Sequence, residues 1–296
     1  MVFKSAMLAS LVMLIAFTSV HFFRKPVTAD ILRCDERGMT WKLQTTLSTT
    51  RQSKTLGETF KLDFNHDGRM DFLLTSLNQE NPSHPERELR LIENIGNNQF
   101  IDVTEQKLGK VLAIHPRHLT TADFDGDGSP DFVLADHGFD RPPFPGHHPL
   151  LLMFRDGRLY DETSARLPHL QGFTFHVSAV DANNDDFPDI YISNIVGVRD
   201  SPSILLNDGH GKFRVQAIEL MHPVFHKIVC MMSSVSGDFN GDGRKEIFLG
   251  GCDRPTKEAI QDRDLILSFS KSAPAFWNFE TLPQRWKDSS WGTASA

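Results

Sequence analysis

The sequence predicts an all-β protein built of repeats, and three observations predict it. An acidic loop occurs four times, its first aspartates (Asp63, Asp123, Asp181 and Asp238) lying 60, 58 and 57 residues apart. A short apolar run of strand composition follows each loop: Asp71-Phe72-Leu73-Leu74, Asp131-Phe132-Val133-Leu134, Asp189-Ile190-Tyr191-Ile192 and Glu246-Ile247-Phe248-Leu249. Each period holds four strand-like runs divided by turn residues. A fixed period of this kind signals a repeat architecture, and the run composition makes its elements strands.

The loops come first, because they set the period. Oxygen side chains stand at positions 1, 3 and 5: Asp63, Asn65 and Asp67, then Asp123, Asp125 and Asp127, then Asp181, Asn183 and Asp185, then Asp238, Asn240 and Asp242. Alternate oxygens on a curled loop converge on one centre, the arrangement that a hard cation such as Ca2+ takes. The backbone carbonyls of Arg69, Ser129, Phe187 and Arg244 add a ligand at position 7, and Asp71, Asp131, Asp189 and Glu246 close the set at position 9. Position 6 must turn sharply and takes Gly68, Gly128 and Gly243, glycine being free to adopt positive φ. Asp186 stands there in the third loop, so that site is expected to be weaker or distorted. An EF-hand would need a carboxylate at position 12, where this chain has Leu74, Leu134, Ile192 and Leu249. The alternative is a set of metal-free Asp/Asn/Gly turns joining hairpins. A further alternative is that the ions are purely structural, since each loop otherwise crowds like charges together.

The strands follow in order. The first repeat is predicted to hold strands at 57–62, 71–77, 89–94 and 99–103, and the second at 118–122, 131–135, 149–154 and 158–162. The third is predicted at 173–180, 189–193, 203–207 and 212–218, and the fourth at 226–236, 246–250, 264–269 and 276–281. Turns between third and fourth strands carry Asn97-Asn98, Asp156-Gly157 and Asn207-Asp208-Gly209, suited to hairpins. A further strand within 39–47 either completes a repeat or caps an edge.

The pattern Asp-x-[Asp/Asn]-x-Asp-Gly-x-x-[Asp/Glu] followed by a β run resembles the FG-GAP/VCBS repeat of integrin α-subunit propellers and of many exported microbial proteins. The resemblance covers roughly residues 57–282. It implies a β-propeller of about four visible blades, closed, open or part of a larger ring, with calcium between the first two strands of each blade. The third loop departs from the pattern at Asp186, and the fourth uses Glu246. Members of that family include adhesion receptors, lectins and domains attached to polysaccharide-degrading enzymes, so fold does not settle function.

Composition supports an exported address. The 296-residue chain carries a net charge of −7, most of it contributed by the loops, which argues for cations and against nucleic acid. Residues 1–29 read as a signal peptide cut before Asp30 or as an uncleaved anchor, the only membrane association foreseen. Residues 30–56 form a leading segment, 57–282 the repeats and 283–296 a tail. Cys34 sits far from the apolar run, which argues against lipid attachment. Cys230 and Cys252 fall opposite each other across a hairpin, as a disulfide or as two buried thiols.

A partner, glycan or protein, is expected on the loops between second and third strands: 78–88, 137–148, 194–202 and 251–263. Each carries arginine (Arg87, Arg141, Arg199, and Arg254 with Arg263), and the second adds His137, Phe139, Phe144, His147 and His148. Arginine forks suit carboxylates; the alternative is solvated loop charge. His137 with His147-His148 hints at a transition metal, although no spacing fixes a tetrahedral set. His118 and His176, each five residues before an acidic loop, are expected in the core or central channel. The sequence thus suggests a calcium-stabilised binding module rather than an enzyme, since no nucleophile elbow, zinc helix or phosphate loop appears. The alternatives are a calcium-dependent polysaccharide lyase or hydrolase on the same scaffold, or an assembly protein docked through an open edge.

Overall fold

A computed structural model describes residues 31–33, 40–42, 57–77, 82–83, 85–194, 202–217, 231–251, 265–269 and 277–281. The leader at 1–29, the tail at 283–296, Cys34, Cys230, Cys252, Arg199, Arg254 and Arg263 lie outside the described residues.

The first strands, β1 (Ile31–Arg33) and β2 (Thr40–Lys42), pair with each other in a two-stranded sheet. The strand expected within 39–47 is therefore half of a hairpin, not a member of a described blade. Four antiparallel meanders follow. Blade one is β3 (Thr59–Leu62), β4 (Asp71–Leu74), β6 (Arg90–Gly96) and β7 (Gln99–Asp102), with β5 (Arg87–Glu88) set apart. That short strand pairs with β8 (Leu112–Ala113) in the connection to the next blade, so the loop expected over 78–88 ends in a strand. Blade two is β9 (Pro116–Ala122), β10 (Asp131–Asp136), β11 (Leu150–Arg155) and β12 (Arg158–Asp161). Blade three is β13 (Thr174–Val180), β14 (Asp189–Asn194), β15 (Ser203–Asn207) and β16 (Phe213–Ala217). Blade four is β17 (Met231–Gly237), β18 (Glu246–Gly251), β19 (Leu265–Phe269) and β20 (Trp277–Thr281).

The blades stack face to face, because a sheet apolar on both faces must bury both. One core cluster joins Leu62, Leu73 and Leu91 of blade one to Phe132, Leu134 and Leu152 of blade two. A second joins Val133, Leu151 and Met153 to Val177, Ile190 and Leu205 of blade three. The first strands β9, β13 and β17 lie side by side. Thr120 Oγ1 accepts the Ala179 amide at 3.3 Å, and the Ser178 and Ser234 hydroxyls meet at 2.8 Å. This is an all-β array of four-stranded propeller blades, with the first strands of blades two, three and four adjacent.

In a meander, the loops after first and third strands share one end and those after second strands share the other. The acidic loops therefore occupy one end of the blades, with Arg87 and Arg141 toward the opposite end. Blades two, three and four each carry a register shift near that second end: at Ala135/Asp136, Thr174/His176 and Met231/Ser233. Such bulges re-aim the residues beside them.

Candidate functional site

The four acidic loops share one backbone conformation. The first carboxylate gathers the loop's own amides: Asp63 accepts from Asp67 and Gly68 at 3.0 and 2.9 Å. Asp123 accepts from Gly126, Asp127 and Gly128 at 2.8–3.1 Å. Asp181 and Asp238 repeat the pattern with Asn184, Asp185 and Asp186, and with Gly241, Asp242 and Gly243. The position 5 carboxylate accepts the position 7 amide every time, from Arg69, Ser129, Phe187 and Arg244. Two positions per loop are left-handed, not the one expected from sequence. Position 4 holds His66, Gly126, Asn184 and Gly241 at φ 57–78°, and position 6 holds Gly68, Gly128, Asp186 and Gly243 at φ 68–88°. The third loop keeps the shared amide pattern with Asp186 at φ 68°.

Position 9 is placed differently from positions 1, 3 and 5. Asp71, Asp131 and Asp189 are fully buried, and each clamps two amides, one from loop position 2 and one from the third strand or its end. Asp71 accepts from Phe64 and Asn94, Asp131 from Phe124 and Phe154, and Asp189 from Ala182 and Asn207, all at 2.7–3.2 Å. Glu246 accepts the Phe239 amide at 2.9 Å and Asn240 Nδ2 at 3.0 Å. Burial pushes Asp71 up to about 6 and Asp131 and Asp189 up to about 7, with neighbouring loop carboxylates adding to the shift and the amides opposing it.

The second loop is best suited to a cation. One oxygen each from Asp123, Asp125 and Asp127 lies within 4.8 Å of the others. Asp125 Oδ1 is buried with no hydrogen-bond partner, a state that native structures seldom leave uncompensated. The other loops have asparagine at position 3, and its amide bridges to position 5: Asn65 to Asp67 at 3.0 Å, Asn183 to Asp185 at 2.8 Å and Asn240 to Asp242 at 3.3 Å. Asp125 cannot make that bridge. Arg166, from a one-turn helix at Thr163–Arg166, stands 3.6 Å from Asp125 Oδ2 and donates to the His210 carbonyl of blade three. The donor set fits a hard cation at all four loops, most directly at Asp125.

Sequence reasoning took Asn207 only as a hairpin-turn residue and passed over Asn94, and both brace these loops. Asn207 Nδ2 donates to Phe124 O of the neighbouring blade at 2.8 Å and to Pro188 O at 3.0 Å. Asn94 Nδ2 donates likewise to Met70 O at 3.2 Å. Their signal was an asparagine at the end of the third strand in two blades.

At the opposite end, Arg87 lies on β5 and donates to Glu86 O at 2.7 Å, while Arg141 is exposed. His147 Nδ1 lies 3.1 Å from Asp136 Oδ2. Burial opposes charge on both, yet the contact raises His147 and, together with backbone amides, lowers Asp136. His148 stacks on His147, ring centroids 4.1 Å apart, and contacts Pro149 O at 3.3 Å.

Fold and loops together define a β-repeat protein of stacked four-stranded blades. Residues 63–134, from the first acidic loop through the second, match the family model for the FG-GAP-like repeat, so the resemblance read from the loops is borne out over that span. No curated protein matches the chain. Among solved structures it is similar to the V. cholerae biofilm matrix protein Bap1 (16% identity, TM-score 0.35, covering 80% of this chain and 38% of that one). It is also similar to the exotype rhamnogalacturonan lyase YesX (15% identity, TM-score 0.36, covering 75% and 41%). The chain spans about two-fifths of the length of each.

Proposed function

We propose that this protein is an exported, calcium-stabilised binding module of β-propeller type. Ca2+ sits at the four acidic loops and makes them rigid corners. A glycan or an acidic protein surface docks on the opposite end, where Arg87 and Arg141 stand. The observation that carries the calcium reading is the second loop, with three converging carboxylates and a buried oxygen of Asp125 that no donor meets. The asparagine-bearing loops are weaker sites, because cation binding there must first break an amide bridge. Loops held on a rigid scaffold commonly carry recognition, and the reading needs no catalytic group.

Calorimetric titration of chelated protein with calcium, alongside thermal melting, tests it. The expected result is one tight site, three weaker ones and a clear rise in Tm, since a ligand at 100 times its Kd stabilises by about 2.7 kcal/mol. Absence of both heat and stabilisation would make the loops metal-free turns and remove the basis of this reading.

A further inference from the structure

At the end of blade two opposite the acidic loops, His115, His137 and Asp140 converge. One donor atom from each lies within 4.8 Å of the other two. His115 and His137 are 7% and 2% exposed, whereas Asp140 faces solvent. Neither ring nitrogen of His137 makes a well-formed hydrogen bond, its one polar contact being a loose one with the Gly138 backbone, although buried polar atoms nearly always find a partner. We propose that these three side chains form a site for a first-row transition-metal ion, zinc above all, with a fourth position open to solvent or to a bound ligand.

The donor chemistry selects the ion. Two imidazoles and one carboxylate suit borderline divalent ions rather than calcium, and three protein ligands with an open position are the pattern of an accessible zinc site. Zinc bonds of 2.0–2.1 Å place tetrahedral neighbours about 3.4 Å apart, so donors already within 4.8 Å of one another need only a small closure. Asp140, exposed on its loop, can supply that movement.

The surroundings hold the histidines in place. Asp136 is fully buried, and its carboxylate accepts the amides of Ile114, His115 and Gly138 at 2.8–2.9 Å. That one side chain fixes the backbone on both sides of the site. The His137 amide donates to His115 O at 3.1 Å, tying the two ligand-bearing segments directly. The loop then folds back so tightly that a Cβ on Gly138 would meet Gly146 C at 2.5 Å, and one on Gly146 would meet Gly172 O at 2.5 Å. Phe173 and Phe175 wall His137, centroids 3.5 and 4.5 Å away, and such an apolar shell strengthens metal–ligand electrostatics. Arg117 is the competitor: its Nη1 lies 3.2 Å from His115 Nε2. Its guanidinium also lies 5.6 Å from the Phe175 ring centroid, an alternative seat when a metal arrives.

Cobalt(II) spectroscopy on the full chain tests the site, with calcium in excess so that the acidic loops are occupied. One equivalent of cobalt should give visible d–d bands of tetrahedral intensity, and one equivalent of zinc should abolish them. Asp140→Asn, at an exposed position, should weaken zinc binding at least tenfold with Tm unchanged in chelator, and His115→Gln should weaken it further. Wild-type protein without such bands, or bands unchanged in both variants, would overturn the proposal.

Discussion

Asp131 and Asp125 sit six residues apart in one loop and do different work. Asp131 is buried and holds the amides of Phe124 and Phe154. Asp131→Ala leaves two buried donors unmet and should cost about 3 kcal/mol, whether or not calcium is present. Asp125→Asn instead recreates the amide bridge of the other loops. It should leave metal-free stability within about 0.5 kcal/mol while weakening calcium binding at that loop. Urea unfolding in chelator and calorimetry in calcium separate the two effects; equal losses in both assays for both variants would erase the distinction. At Asp186 the backbone is left-handed, φ 68°, with an exposed side chain. Asp186→Gly relieves that conformation and should stabilise the protein by about 1 kcal/mol, read as a shift in urea midpoint.

Between elements, the contact most open to test is the histidine stack between adjacent first strands. His118 of β9 and His176 of β13 stack with centroids 3.8 Å apart and planes 21° from parallel. His176 Nδ1 faces Ser234 O of β17 at 3.2 Å. Burial holds both imidazoles below their ordinary value, and at His176 the His118 ring and Arg117 add repulsion against charge, taking it down to about 4. The unfolded chain takes up these protons near pH 6.5 while the folded chain does not. The histidine contribution is therefore intact above pH 6.5 and is lost as pH falls toward 4. His176→Phe keeps the ring stack and removes one proton site, so its Tm should fall less than wild type over that window. Comparison with wild type cancels the opposite drift of Asp131 and Asp189, which gain protons on folding over the same range. Parallel profiles would show that His176 carries no such penalty. Much of this level was legible in the sequence. Blade strands start and stop within a few residues of expectation because the acidic loop and the hairpin turn bracket each one, and the matched offsets of His118 and His176 put them at equivalent strand positions, although their stacking was not foreseen. The convergence around Asp136 was not legible: it captures amides more than 20 residues back, at Ile114 and His115, and no local pattern encodes such a contact. The left-handed residue at position 4 was hidden too, because His66 and Asn184 stand where glycine would have announced it.

For the whole molecule, position 2 of each loop reports how the blades join. Phe64 is fully buried and packs edge-on against Phe154 of blade two, centroids 6.3 Å apart. Phe124, 1% exposed, meets Phe213 of blade three at 5.6 Å. Blade three has the small Ala182 there, also buried. In blade four the same position is Phe239, 50% exposed, its ring folded back over Gly237. Among the described residues, the side chain that wedges one blade against the next thus has no such cover on blade four. Truncating a buried phenylalanine removes its transfer energy and leaves a cavity, so Phe124→Ala should cost about 4 kcal/mol. Phe239→Ala should cost less than about 1 kcal/mol, as expected of a surface side chain. Urea unfolding of both variants at low protein concentration measures the contrast. A cost at Phe239 close to that at Phe124 would mean that another layer, from this chain or a second copy, covers blade four in solution. Repeating the measurement across protein concentration tells those two sources apart, because only a second copy makes the cost grow with concentration.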